Sequence, residues 1–314
     1  IMSMKKFIEN DFSLILMAII LGIIVAVLST VYANFVNLLE NLLYKRFINN
    51  IFIILIPAIG GLLVGLMVEF ETLSAKGHGI PAILQTIKTK NIYFSPKDLW
   101  TEGFASALTI GTGGSAGRIG PVVEIGTGLA DLIAKKMDYS VEVYQTILGC
   151  GAAAGISAIF NAPIGGIVFV MEVLFRELKL QRLTLVIVSA ISADVLVKNI
   201  FKVDPIFTLP SFIIKSSWEY IFFIILGMIM GIIGFLFVKS LFLISNYIEN
   251  INLSLWIKPT LGGLIVGISA YYFPKILGTG IDITNEILLN KHSINFLLIL
   301  ITYINMILVY LYIR

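Results

Sequence analysis

Charge is what this chain has least of. Only 13% of its 314 residues are Asp, Glu, Lys or Arg, about half the share found in soluble globular domains. The net charge of +3 comes from scattered lysines and arginines such as Lys45-Arg46 and Lys135-Lys136, so no basic patch for nucleic acid is present. There is one cysteine, Cys150, which excludes an internal disulfide and any cysteine-based metal site. In the surrounding "GCGAAAG" a small thiol reads as a packing residue. No metal, thiol or carboxylate constellation is assembled, which argues against an enzyme and calls for no cofactor.

What is abundant is apolar surface. The chain is 58% hydrophobic with 11% aromatics, and its mean hydropathy is +0.97. Runs at Phe12–Val36, Ile51–Val68, Leu180–Val197, Tyr220–Ile244, Leu255–Phe273 and Ile294–Ile313 reach or approach the ~20 residues a helix needs to cross a bilayer. Ile80–Ile87 and Pro163–Phe175 are too short to cross alone. Backbone at membrane depth must be hydrogen-bonded internally, so short pieces joined by Gly and Pro read as broken, re-entrant helices. The expected fold class is therefore an all-α polytopic membrane protein, with the segment mix of channels and secondary transporters. The first run lacks a small-residue cleavage site and is expected to stay in the mature chain. Lys5-Lys6 places the N-terminus in the cytoplasm by the positive-inside rule. The opening "IMSMKK" puts the expected start of translation at Met2 or Met4.

The chain also resembles itself. "PAIGGLLVGL" at 57 to 66 matches "PTLGGLIVGI" at 259 to 268, superposing Gly60, Gly61 and Gly65 on Gly262, Gly263 and Gly267. "ILGIIVAVL" around Gly22 matches "ILGMIMGII" around Gly227, and "GHGI" at 77 to 80 matches "GTGI" at 278 to 281. Three blocks in one order at nearly constant spacing imply two homologous membrane repeats, 1–205 and 206–314, meeting near Asp204-Pro205. Such repeats commonly face each other across a mid-membrane substrate site. The small-xxx-small pairs Gly61/Gly65 and Gly263/Gly267 are expected to be helix-crossing scaffold. The same spacing puts the second-repeat partner of Gly117–Pro121 beyond Arg314, so the second repeat is expected to be incomplete.

"GTGGSAGRIGP" at 111 to 121 concentrates five glycines, an arginine and a proline in this apolar background. A helix start offers free N–H groups and about half a positive charge, which in a low-dielectric membrane makes an anion site. Glycines before the helix let an ion approach the backbone, and Pro in the first turn sacrifices no hydrogen bond. "GHGIP" (77 to 81) and "GRIGP" (117 to 121) share this design, and "FNAPIGG" (160 to 166) breaks and restarts a helix. The letters also fit G-x-S-x-G at Gly113–Gly117, but only His292 lies downstream and no α/β sheet is in sight. "GTGGSA" fits G-x-G-x-x-A without the strand–helix alternation of a nucleotide fold. Pure helix packing by the glycines is the plainest alternative, and leaves the prolines and Arg118 unexplained.

"GHGIP", "GSAGRIGPVVEIG" and "GAAAGISAIFNAPIGGIVFVMEVL" resemble, in order and spacing, the signature segments of the CLC chloride channels and proton-coupled anion transporters, usually written GSGIP, G(K/R)EGP and a Gly/Ala-rich stretch ending FNAP. The resemblance covers nearly the whole chain. It implies an inverted-repeat membrane fold, a homodimer in the cell membrane with one pore per subunit, and a dehydrated chloride or similar small anion held by backbone N–H groups. The implied anion-binding positions are His78, Gly79, Ile80, Ile119 and Gly120, with Arg118 adding positive potential at the mouth.

Departures from the family pattern carry the expected mechanism. At its gating glutamate stands Ile119, which can neither imitate chloride nor titrate, and at the inner proton-relay position stands Val173, next to Glu172. Both losses point to passive conduction. His78 replaces the serine ligand, and an imidazole, with a reference pKa near ~6.5, implies pH-sensitive conduction. Glu172 is expected to pair with a nearby arginine such as Arg176, and Glu102 and Glu124 to face protein or water. The family's GxFxP motif is absent from these residues. The leading expectation is a CLC-type anion channel. The alternatives are a non-conducting remnant or scaffold subunit, or a proton-coupled antiporter using Glu124 or Glu172.

Overall fold

A backbone immersed in hydrocarbon has only its own groups to bond to, and the chain meets that demand with helices. The computed structural model describes residues 11–70, 83–84, 96–137, 139–175, 180–207, 214 and 216–289, and no strand occurs among them. The described helices are α1 (Asp11–Leu42), α2 (Leu55–Phe70), α3 (Pro96–Gly111), α4 (Ile119–Lys136), α5 (Val141–Phe160), α6 (Pro163–Phe169), α7 (Leu180–Leu196), α8 (Trp218–Glu249), α9 (Ile257–Tyr272) and α10 (Ile281–Leu288). Among the described residues, five stretches are long and apolar enough to cross a membrane: Asp11–Phe47, Ile51–Glu69, Val141–Phe160, Leu183–Phe201 and Trp218–Ile248. The protein is an all-α polytopic membrane protein. The run Ile294–Ile313 lies outside the described residues.

Two of these helices differ from the hydropathy reading. Val141–Phe160 is a spanning-length helix that the search for apolar runs passes over. Its Gly, Ala, Cys and Ser residues are only weakly apolar, yet nearly every position from Thr146 to Ile159 is buried. Conversely, Leu255–Phe273 folds as the 16-residue α9, shorter than a perpendicular crossing requires.

The chain divides into two compact units. The first contains residues 1–39, 72–107 and 117–206, and its core is built on backbone contact at glycine. A Cβ on Gly126 of α4 would collide with the carbonyl of Gly151 on α5, and a Cβ on Gly151 would collide with that of Gly126. A Cβ on Gly155 would come within 2.8 Å of the Val122 carbonyl oxygen, one on Gly166 within 2.5 Å of that of Ala153, and one on Gly22 of α1 would collide with the Ser189 carbonyl of α7. Without a hydrophobic effect between helices in lipid, such close approach and its dispersion gain hold the helices together. Polar side chains add to it: Ser189 Oγ donates to the Cys150 carbonyl at 3.1 Å and Ser157 Oγ to that of Ala190 at 2.7 Å. Cys150 is fully packed in this core. The fully buried Asp131 accepts from Lys135 Nζ at 2.5 Å and from the Tyr144 hydroxyl, joining the end of α4 to the start of α5.

Helix α5 stops where the FNAP segment says it should. Asn161 turns into the left-handed region (φ 51°, ψ 39°), donates through Nδ2 to the Val203 carbonyl at 2.7 Å, and Pro163 opens α6. Proline at the first helical position gives up an N–H that would have had no partner. Helix α6 then loosens into a π-helical turn at Val170–Phe175.

The second unit contains residues 40–71, 108–116 and 207–314. Its centre is the crossing of α2 and α9, in which the contacts exchange residues 202 positions apart. A Cβ on Gly61 meets the Pro259 carbonyl, and one on Gly263 meets the Pro57 carbonyl. A Cβ on Gly65 would come within 2.5 Å of the Trp256 Cα, and one on Gly267 would collide with the Ile54 carbonyl. Each contact is thus the image of the other under a local two-fold axis, which requires the two helices to carry the same small-residue pattern. The loop preceding α10 is held by Ser115 Oγ, which donates to the Ile276 carbonyl at 2.5 Å, and by Gly278 N–H, which donates to the Gly113 carbonyl at 3.2 Å. Lys45 bridges the buried Glu40 at 3.0 Å and the exposed Asp282 at 3.5 Å. Helix α8 is exposed along almost its whole apolar length, a surface suited to lipid.

Candidate functional site

The glycines of residues 111 to 120 do two different jobs. Gly113 (φ 105°) and Gly114 are buried: a Cβ on the first would sit 2.8 Å from Leu277 Cδ2, and on the second 2.7 Å from the Thr109 carbonyl oxygen. Gly113 needs glycine for its backbone angle as well as for space. Both belong to the packing of the second unit, Gly113 under the loop before α10 and Gly114 against Thr109 at the end of α3. Gly117 and Gly120 are the opposite case, since among the described residues a Cβ at either meets nothing within 4 Å.

Between these two open glycines α4 begins. Arg118 is its N-cap residue and makes no side-chain cap bond. Val122 N–H is the first to bond back into the helix, to the Arg118 carbonyl at 3.3 Å. The N–H groups of Ile119 and Gly120 precede that bond, so the helix itself offers them no acceptor, and Pro121 has no N–H to offer. Ile119 is 41% exposed, and its side chain presents no polar atom at this helix start. Chemically, the arrangement offers two backbone donors, a helix dipole and no bulky side chain at Gly117 or Gly120.

Helix α1 runs past this start and supplies polar groups that motif reading missed. Asn37 Oδ1 accepts from the Arg118 guanidinium at 2.7 Å. One turn earlier the Tyr32 hydroxyl lies 3.1 Å from Ser106 Oγ of α3, which itself donates to the Gly103 carbonyl at 3.0 Å. Phe35 meets Phe104 edge-on with ring centroids 5.5 Å apart. The only trace of this in the sequence is two asparagines, Asn34 and Asn37, late in an apolar run.

The remaining candidates are dispersed. Glu124 is buried one turn into α4, Glu102 is half-buried on α3, and Glu172 is exposed while Val173 is half-buried on the π-helical turn. His78, Gly79 and Ile80 lie outside the described residues, as do Pro81, Arg176 and His292. Gly278 and Gly280, the counterparts of Gly77 and Gly79, have φ of 74° and 72°, and Gly280 caps α10. Asp282 in the first turn of α10 stands where the first repeat has Pro81, placing a carboxylate at that helix start.

The model of the voltage gated chloride channel family matches residues 60–313. A putative chloride channel protein ClcB-like from Ralstonia nicotianae is 30% identical over 239 residues, covering 75% of this chain and 56% of that protein. An H(+)/Cl(-) exchange transporter ClcA from Vibrio parahaemolyticus is 27% identical, covering 72% of this chain and 50% of its own length. This chain therefore spans about half the length of such relatives. Among solved structures, a CLC-type fluoride/proton antiporter superposes with a TM-score of 0.84 over 97% of this chain and 77% of that one, at 18% identity. A slow cyanobacterial Cl-/H+ antiporter superposes at 0.82 over 95% and 73%, at 21% identity. With its family model matched over most of its length and its fold shared with these antiporters, the chain belongs to the voltage gated chloride channel family.

Proposed function

We propose that the protein conducts a small anion, chloride by default, passively across the cell membrane, as a homodimer whose subunits each hold a pore. The observation that carries this reading is Ile119, an uncharged and untitratable side chain at the opening of α4 where the family pattern has a glutamate. The N–H groups of Ile119 and Gly120 hold the dehydrated anion together with the segment His78, Gly79 and Ile80, and the dipole of α4 is worth up to about 2 kcal/mol to a partly buried anion. Arg118 raises the potential at the mouth. With Ile119 and Val173 at the two carboxylate positions, no proton carrier competes with the anion, and no enzymatic step is involved. The two repeats, 1–205 and 206–314, frame this pathway.

Liposomes loaded with potassium chloride and carrying the full-length protein release chloride once valinomycin short-circuits the membrane potential. Absence of release over protein-free liposomes would sink the reading and leave the chain a non-conducting scaffold. His78 makes the flux pH-dependent: protonation adds a positive charge beside the anion, so efflux rises as pH falls through about 6.5. His78→Ser flattens that profile between about pH 5.5 and 7.5, and an unchanged profile would remove His78 from the pathway.

A second reading is favoured by Glu124, a buried carboxylate one turn inside α4. A proton-coupled antiporter would use it, with Glu172, as carrier in place of the missing glutamates. Some relatives bear the name H(+)/Cl(-) exchange transporter. Glu124→Gln would then abolish chloride-driven proton movement, whereas passive conduction has none to abolish.

A further inference from the structure

We propose that Ser115 is a positioning residue whose hydroxyl fixes the chain entering α4, so that the Ile119 and Gly120 donors are held ready for the anion. The proposal rests on the anion-conducting reading and extends it to what keeps that helix start in order. Gly113, Gly114 and Gly117 leave this stretch many backbone alternatives, and a donor that must be re-aimed on binding holds its ligand less well than one already in place. The structure offsets that freedom at one point. Of the hydrogen bonds described for residues 113–116, two reach a distant part of the chain, and both end on the loop before α10. Ser115 Oγ donates to the Ile276 carbonyl at 2.5 Å, and the Gly278 N–H donates to the Gly113 carbonyl at 3.2 Å. The others stay local, from Gly113 N–H to the Ile110 carbonyl, from Gly114 N–H to that of Thr109 and from Ala116 N–H to that of Gly114. Among these four residues Ser115 alone has a side chain able to make such a tie. The support it reaches is firm: Ile276 is fully buried and closes the 3-10 turn Pro274–Ile276, and a Cβ on Gly278 would come within 2.6 Å of the Tyr44 hydroxyl. Ser115 is buried as well, so removing its hydroxyl deprives the Ile276 carbonyl of this donor where water does not replace it. Only Ala116 and Gly117 separate Ser115 from Arg118, the N-cap of α4, and looseness at residue 115 passes along that short link. The loop that carries the tie, "GTGI", is the sequence counterpart of "GHGI". With the Gly278 N–H spent on Gly113, the second-repeat copy serves as a strut for the segment leading into α4.

The test is chloride binding to the full-length protein in detergent, read by isothermal titration calorimetry for wild type, Ser115→Ala and Ser115→Thr. In Ser115→Ala the chloride Kd rises about fivefold, a change of the size one hydrogen bond is worth. Ser115→Thr keeps the hydroxyl and stays within about twofold of wild type. A part confined to folding lowers the thermal midpoint and leaves the Kd of the folded protein where it was, so an unchanged Kd in Ser115→Ala overturns the proposal. A folded Ser115→Thr that binds as weakly as alanine overturns it too. Where alanine yields no folded protein, Ser115→Cys, a weaker donor, takes its place with a rise of about twofold or more, and wild-type affinity there counts against the proposal equally. Should wild type itself bind no chloride, the anion reading fails and amide hydrogen exchange decides the anchor. The peptide covering residues 116–122 then exchanges several-fold faster in Ser115→Ala than in wild type or Ser115→Thr. Equal exchange in all three contradicts the anchor directly.

Discussion

Ile119→Glu slows chloride efflux about tenfold at neutral pH, and acid restores it. A carboxylate at the first position of α4 lies beside the free N–H groups of residues 119 and 120 and the positive end of the helix dipole. An anionic side chain tethered there competes with chloride for the same donors. A stabilisation of about 1.4 kcal/mol, inside the range for charges at partly buried helix termini, corresponds to tenfold occupancy by the tether over the open state. Protonation removes the competing charge, so the block lifts as pH falls through the carboxylate range, near ~4.3 for an ordinary glutamate. Ile119→Gln, similar in size and without charge, stays fast at every pH. Equal rates for Glu and Gln would mean that the α4 start does not face the permeating anion.

The largest effect on folding is expected at the α2–α9 crossing. Gly61→Val and Gly263→Val each drive a side chain into a carbonyl of the facing helix, that of Pro259 and of Pro57 respectively. Neither obstacle is a flexible side chain that can swing aside, so the helices must separate and lose the contacts that hold them. Overpacking costs ~1–3 kcal/mol where side chains can adjust and more where backbone must move, so about 3 kcal/mol or more is expected for each. Because the two contacts are images of one another, the losses should match, read as thermal midpoints of monodisperse protein in detergent. Gly103→Ala on α3 is the control, since its Cβ would meet only Ile125 Cδ1 at 4.0 Å. Alanine also gains up to ~1 kcal/mol of helix propensity over glycine. Normal stability of Gly61→Val would remove the crossing from the account.

Glycine and proline made the breaks in this fold legible. The stop at Asn161, the restart at Pro163 and the opening of α4 at Ile119 all fall where a residue with special backbone freedom stands beside one that lacks an N–H. The paired glycines of residues 57–66 and 259–268 likewise announced a helix crossing before any contact was known. Helix α5 was harder to see. Its span depends on small residues whose low hydropathy hides complete burial, and burial here comes from glycine facing glycine rather than from apolar bulk. Nor does the string "GTGGSAGRIGP" reveal that Gly113 and Gly114 serve packing while Gly117 and Gly120 stay open. For Gly113 that distinction arises from the loop at 274–278, more than 150 residues away, folding onto it, while Gly114 packs on Thr109 at the end of α3. Asn37 was invisible for a related reason, because its meaning lies in a contact with Arg118 that no local pattern encodes.

The central claim is that anion movement is uncoupled from protons, and recording the pH around wild-type liposomes under an imposed outward chloride gradient tests it most directly. Passive conduction predicts rapid chloride loss only once valinomycin lets potassium follow, and no proton movement beyond that of protein-free liposomes. Protons carried uphill in fixed proportion to chloride, and lost on Glu124→Gln, would contradict it and establish a carboxylate that replaces the missing pair.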